Sequence, residues 1–329
     1  MSSLPAHAER QLIGHAPGMA PDLAAISPRI ARIQDLIPDW RQHCVNIRDG
    51  AATTPEQQSL KLAINTLGRS ELGAWLIDQA AKHSVMVCLD GRTGLEAYYR
   101  AHLHLIGLND RLSPAGHLVF LAHELAHVPQ HPRFSNNRRF SPQDMLLLHR
   151  VREATAEAVA TRALWQLREL GQDTAWQEKL RTAYGDIAKL FHAHIGQKRG
   201  AAAELQATRS AFYHWFEADW RLDIYDDLML KTLARIADDP IGLLPSSRWL
   251  SDRYLREISH YAGDRFLFEG DGRALMTTFG LDWLASGNQA ELDAMMGQAA
   301  LHQSEARREE IPSLEGASGL SASSSRPIQ

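Results

Sequence analysis

His123-Glu124-Leu125-Ala126-His127 sets two imidazoles four residues apart, with a carboxylate beside the first. On a helix, positions i and i+4 share a face with Cβ atoms about 5–6 Å apart, so both rings can reach one tetrahedral metal ion. Glu124 then stands next to the pair, where it can touch a metal-bound water without ligating the ion. The chain holds 16 histidines in 329 residues, so the bland alternative is a helix whose polar face carries solvated imidazoles. The flanking residues weigh against that. Leu118, Leu121, Ala122, Leu125 and Val128 form an apolar stripe that docks the helix in a core. Polar groups beside such a stripe need partners.

A catalytic metal site needs a third protein ligand and an open position for water. His131 lies four residues beyond His127, but Pro129 and Pro132 argue against a continuous helix there. The metzincin pattern, with glycine three and histidine six residues after the second ligand, is excluded because Gln130 and Arg133 stand at those positions. The following segment, "HRVREATAEAVATRAL", places Glu153 and Glu157 at i and i+4 on the face of His149. If it packs antiparallel to the first helix, Glu153 approaches the histidine pair, and Glu157 can orient a ligand imidazole by accepting its hydrogen bond. The alternative is a pair of surface glutamates matched to Arg150 or Arg162.

The elements that must position these residues can be read from caps and periodicity. Ser113-Pro114 and Ser141-Pro142 each place an N-cap before a proline at the first helical position. With Asp144 completing a capping-box-like start, the second helix can run to Gly171. Upstream, Ser27-Pro28 opens an amphipathic stretch to Ile37, and Thr54-Pro55 opens a helix with Leu60, Ala63, Ile64 and Leu67 at helical spacing. A further helix spans Ser70 to His83, with Leu72, Trp75, Leu76 and Gln79 along one side. "SVMVCLD" reads as a buried strand, and "LEAYYRAHLHLIGLN" as one or two strands after turns at Asp90-Gly91 and Thr93-Gly94. Later helices cover 174–195, 201–237, 246–262 and 289–302, with a Gly-rich break at "FEGDGRA".

These elements divide into an N-terminal extension (1–54), a main domain (55–240), a C-terminal helical segment (241–303) and a disordered tail (304–329) lacking apolar periodicity. Composition is ordinary for a soluble globular protein: 44% hydrophobic, 22% charged, net charge −4. The slight acidity argues against nucleic-acid binding, and no apolar run is long enough to span a membrane. Cys44 and Cys88 are too few for a disulfide framework or a cysteine-built zinc site and fit a reducing compartment. With no signal-peptide pattern at the N-terminus, the expected location is cytoplasmic.

The pair of motifs, His123–His127 and then Glu153-Ala154-Thr155-Ala156-Glu157, resembles the gluzincin branch of the zincin metallopeptidases. The stretch from about Val85 to Leu170 is similar to bacterial metallopeptidase domains in its order of strand, active-site helix and glutamate helix. The resemblance implies an α+β, predominantly helical fold. In it, a small antiparallel-edged sheet packs on the active-site and glutamate helices of a zincin-like core, with C-terminal helices added. It implies Zn2+ held by His123, His127 and Glu153, Glu124 as general base, and Glu157 as the acid that orients a ligand, although aspartate is commoner at that position. The implied reaction is peptide-bond hydrolysis, and the implied partners are peptide or protein substrates. Oxyanion or substrate contacts would come from His149 and Tyr225, with Tyr213 and His214 as further candidates on an aromatic-rich helix. "AHLHLIGLN", with His102 and His104 on one face, resembles the strand that borders the cleft, and "RFSNNRRF" reads as a lid or a solvated loop. A non-catalytic zincin-like binding or regulatory module is the competing function.

Overall fold

Local capping chemistry starts the helices that carry the site. The computed structural model describes residues 28–48, 51–131, 140–196, 200–237, 250–278, 288–294 and 297. Helices α1 (Pro28–Leu36) and α2 (Trp40–His43) lead into β1 (Cys44–Asn46). α3 (Pro55–Leu67) opens on a full capping box, in which Thr54 and Gln57 satisfy each other's backbone N–H groups. α4 (Glu71–Lys82) is capped by Ser70, which accepts from the Gly73 N–H. β2 (Met86–Leu89), β3 (Ala97–Arg100) and β4 (Leu105–Leu108) then complete a four-stranded sheet in the order β1-β2-β4-β3. β2 and β4 run parallel, and both outer strands run antiparallel to their neighbours.

Two long helices form the centre. α5 (Pro114–His127) and α6 (Pro142–Glu169) are capped by Ser113 and Ser141, each with proline at the first helical position. Leu121, Ala122, Leu125 and Ala126 of α5 are fully buried, as are Val151, Ala154, Ala158 and Ala160 of α6. Full burial on several faces lets α5 pack at once against the sheet, α3, α4 and α6. Behind α6 lie α7 (Asp173–Arg181), α8 (Gly185–Ile195), α9 (Ala201–Trp215) and α10 (Asp219–Ala237). A buried Arg150–Asp226 pair, with Nε donating to Oδ1 at 2.7 Å, ties α6 to α10. The C-terminal part contributes α11 (Asp252–Ile258), the hairpin β5 (His260–Tyr261) to β6 (Asp264–Arg265), and α12 (Asp271–Thr278). The hairpin turns through Ala262 and Gly263 with φ of 51° and 87°, as a tight two-residue turn requires.

The architecture is α+β and mostly helical, with small sheets. Several sequence expectations need correction. "AHLHLIGLN" is not a single edge strand. Ala101–Leu103 form a 3-10 turn, His104 sits in the left-handed region at φ 45°, and β4 is an inner strand. The edge is β3, held close to β4 because Gly107 leaves room for Tyr98, whose ring would lie 2.3 Å from a Cβ there. Residues 174–195 form two helices broken around Thr182, and 201–237 two helices broken after Phe216. The end of the expected 246–262 helix is the β5–β6 hairpin, and "FEGDGRA" leads directly into α12. Of "RFSNNRRF", read as a lid or a solvated loop, residues 133–139 lie outside the described residues, as does the tail.

The cysteines are the other correction. Cys44 and Cys88 are cross-strand partners in β1 and β2 and are joined by a disulfide. Cysteine usage therefore gives no support to a reducing compartment. A count of two carries no information on register, and register decided the outcome.

Candidate metal centre

The last turn of α5 and the middle of α6 run side by side, and their facing side chains converge. His123 Nε2 and His127 Nε2 are 3.3 Å apart. Glu153 Oε2 lies 3.5 Å from the first and 3.6 Å from the second. In a tetrahedral zinc site with bonds of about 2.0–2.1 Å, neighbouring donor atoms are separated by about 3.3–3.4 Å. The three donors thus outline one face of such a tetrahedron, and together they could hold a metal ion. His131, the alternative from the sequence, points elsewhere: its ring lies 6.1 Å from that of His104.

Hydrogen bonds on the far side of each ring fix which nitrogen faces the centre. His127 Nδ1 donates to Gln130 Oε1 at 2.9 Å, leaving the Nε2 lone pair directed inward. Gln130 is itself oriented, since its Nε2 donates to the Tyr261 hydroxyl at 3.0 Å and the Arg152 carbonyl at 3.2 Å. Tyr261 in turn donates to the Ala126 carbonyl at 2.8 Å. On the other ring, His123 Nδ1 faces Glu157 Oε2 at 3.3 Å, and the second oxygen of Glu157 pairs with Lys179. Glu157 and Lys179 are each 2% exposed at the side chain.

The electrostatics favour positive charge at the centre. Burial opposes the imidazolium of His123, but hydrogen bonds to Glu153 and Glu157 outweigh it and hold its pKa up to about 10. Burial likewise opposes ionisation of Glu153, yet His127 and His123 keep its carboxyl well below the usual range. Glu157 is pulled down to about 2 despite its burial, chiefly by Lys179 and then by His123. Glu124 behaves differently. Burial raises its pKa, with His123 and His127 offsetting part of the rise.

The centre opens on a cavity of about 800 Å³. Glu124 lines it, as do Tyr98 and Tyr99 of the edge strand and Ile224 and Leu228 of α10. His149 and Tyr225, the candidate contacts, both reach it, with rings 5.8 Å apart. Burial lowers the pKa of His149 and pushes the Tyr225 hydroxyl well above its ordinary value, so the tyrosine stays a proton donor. Its hydroxyl is 2.8 Å from that of Tyr184. Tyr213 and His214 do not join the cavity. Tyr213 stacks near Arg209, and His214 pairs with Asp186 and Glu217.

Sequence reasoning did not anticipate Gln130, Lys179, Tyr184 or Tyr261. Gln130 carried a signal, being three residues after His127 and so within one turn of it. The other three reach the centre from separate elements and left none.

A family model described as "Putative metallopeptidase family (DUF6782)" matches residues 33–265. No curated protein and no solved structure matches the chain. No described helix is long and apolar enough to cross a membrane.

Proposed function

The chain belongs to this metallopeptidase family, and from that premise we propose that it is a zinc-dependent peptidase of zincin-like, gluzincin type. His123, His127 and Glu153 hold the ion, and Glu124 is the general base. One observation carries the reading: three donor atoms at 3.3, 3.5 and 3.6 Å from one another, beside a buried carboxylate at a cavity. Two imidazoles, one carboxylate and an open side are the donor set of a catalytic zinc. Bound there, zinc supplies Lewis acidity towards a peptide carbonyl and lowers the pKa of a coordinated water towards about 7.

The chain's own residues do the rest. Glu124 takes a proton from the attacking water and returns it to the leaving nitrogen. Burial raises its pKa, which makes the carboxylate a stronger base for the first half of that transfer. Glu157 and Gln130 hold the two rings with Nε2 inward, so the donors need little reorganisation. Tyr225 and His149, which line the cavity, donate to the developing oxyanion in this reading. The substrate lies along the β3 edge, with its side chains against α10.

Zinc content and hydrolysis of a broad peptide library test the reading. Wild type is expected to carry about one zinc per chain, and His123→Ala or Glu153→Ala to lose or weaken it. Glu124→Gln should keep zinc and lose hydrolysis by about 10²–10⁴-fold. Full zinc affinity in Glu153→Ala removes that ligand from the scheme. A zinc-loaded wild type that cleaves nothing favours a binding or regulatory module instead.

A further inference from the structure

Besides the histidines, one arginine and two lysines line the cavity: Arg152, Lys179 and Lys231. Lys179 is paired with Glu157, and Lys231 with Asp227 at 2.6 Å. Arg152 differs. Among the described residues no carboxylate lies within ion-pair distance of it. Its side chain makes one hydrogen bond, a long one of 3.4 Å from Nε to Gln130 Oε1. Its two terminal nitrogens meet no acceptor among the described residues. Only partly exposed to solvent, this guanidinium forgoes hydration without a contact ion pair, and the Glu153 carboxylate offsets its charge only at longer range.

Its position is informative. The Gln130 oxygen that Arg152 touches also accepts from His127 Nδ1, so one side chain separates the guanidinium from a donor of the metal triad. Four carboxylates also stand on the cavity wall, Glu96, Glu124, Glu153 and Glu157, and these repel an anion placed beside them. A guanidinium presents two parallel N–H groups that match a carboxylate's two oxygens.

We propose that Arg152 binds a carboxylate of the substrate, so that the protein acts on peptides carrying one close to the scissile bond. The carboxylate is either the C-terminal group or the side chain of aspartate or glutamate. This deepens the peptidase reading above and rests on it, while the binding site itself is testable without turnover.

The test uses full-length, zinc-loaded protein in a Glu124→Gln background, so that nothing is hydrolysed. N-acetyl-Phe-Leu, its C-terminal amide, and N-acetyl-Phe-Glu-amide are titrated calorimetrically. Hydrogen bonds to charged groups predict that at least one of the two acids binds about 10–100-fold more tightly than the neutral amide. Preference for the first acid identifies the C-terminal group, and preference for the second the acidic side chain. Arg152→Gln should bring all three ligands within about twofold of one another, and Arg152→Lys should keep only part of the preference, at unchanged zinc content. Equal binding of acids and amide before the arginine is changed overturns the proposal. So does a preference that survives Arg152→Gln, which would place the carboxylate on the zinc. If Arg152→Gln fails to fold, the Arg152→Lys protein decides, because an undiminished preference there refutes bidentate binding. A wild type that cleaves no peptide sinks the peptidase reading and leaves this binding result standing.

Discussion

Replacing Lys179 by methionine removes the one cation, among the described residues, that pairs with Glu157 from outside the candidate metal triad. Both partners are 2% exposed at the side chain, so the carboxylate left behind has little access to water. Breaking a buried ion pair from one side costs about 3–5 kcal/mol, most of it the penalty of an uncompensated charge. The loss should also reach the metal. Glu157 Oε2 sits 3.3 Å from His123 Nδ1, and disturbing such an outer partner lowers metal affinity by about 10–100-fold. Urea unfolding of the metal-free protein gives the first quantity, and competition with a chelator gives the second. A double-mutant cycle separates coupling from lost packing. If the pair acts as a unit, Lys179→Met with Glu157→Gln should cost at least about 2 kcal/mol less than the two single changes added together. Additive costs, or a Lys179→Met protein within about 0.5 kcal/mol of wild type, would show that the pair does not hold the ring.

Further outcomes follow from contacts remote from the metal. Asp226→Ala should destabilise the fold by about 3–5 kcal/mol in urea unfolding, because Arg150 is buried and bonded to both oxygens of that carboxylate. The Cys44–Cys88 bond closes a sequence separation of 44, worth about 4 kcal/mol in unfolded-chain entropy; a thiol assay should find both cysteines blocked in the native protein, and reductant should lower the unfolding midpoint. The pKa of His104 is lowered by burial and then by Arg29, His83 and His131, so the fold binds its proton less readily than the unfolded chain does. The stability involved is present above the unfolded value of 6.5 and is lost as pH falls through the lower folded value, and His104→Asn, suited to the left-handed backbone, should flatten that slope in unfolding experiments between pH 7 and 5.

What could be read from the sequence was local. Thr54, Ser70, Ser113 and Ser141 each cap a helix within three residues of themselves, and all four caps are present. The face of α3 was equally plain, since Leu60, Ala63, Ile64 and Leu67 recur at helical spacing and are all buried. The strands were harder. β4 looks like an edge in sequence because histidines precede it, yet it is inner because β3 folds back outside it. Nothing in "YRAHLHL" shows that His104 takes a left-handed conformation and closes a 3-10 turn between two strands. The Thr182 break was hidden for a related reason, because helical periodicity on both sides of a short interruption reads as one continuous helix.

The same distinction runs through the candidate site and explains its uneven legibility. His123, His127, Glu153 and Glu157 stand out because each pair repeats at i and i+4, a spacing that fixes a shared face before any tertiary contact forms. The groups that hold those side chains still obey no such period. Tyr261 meets Gln130 across 131 positions of sequence, and Lys179 reaches Glu157 from a separate helix. These long-range contacts set the inward-facing nitrogens, and with them the difference between two histidines on a helix and two donors aimed at one point. A short motif therefore reports where an ion can be held, while its readiness to be held there depends on the β5–β6 hairpin and on α7. Substitutions in those elements should weaken metal binding while leaving every ligand in place, and a match to the motif alone would miss them.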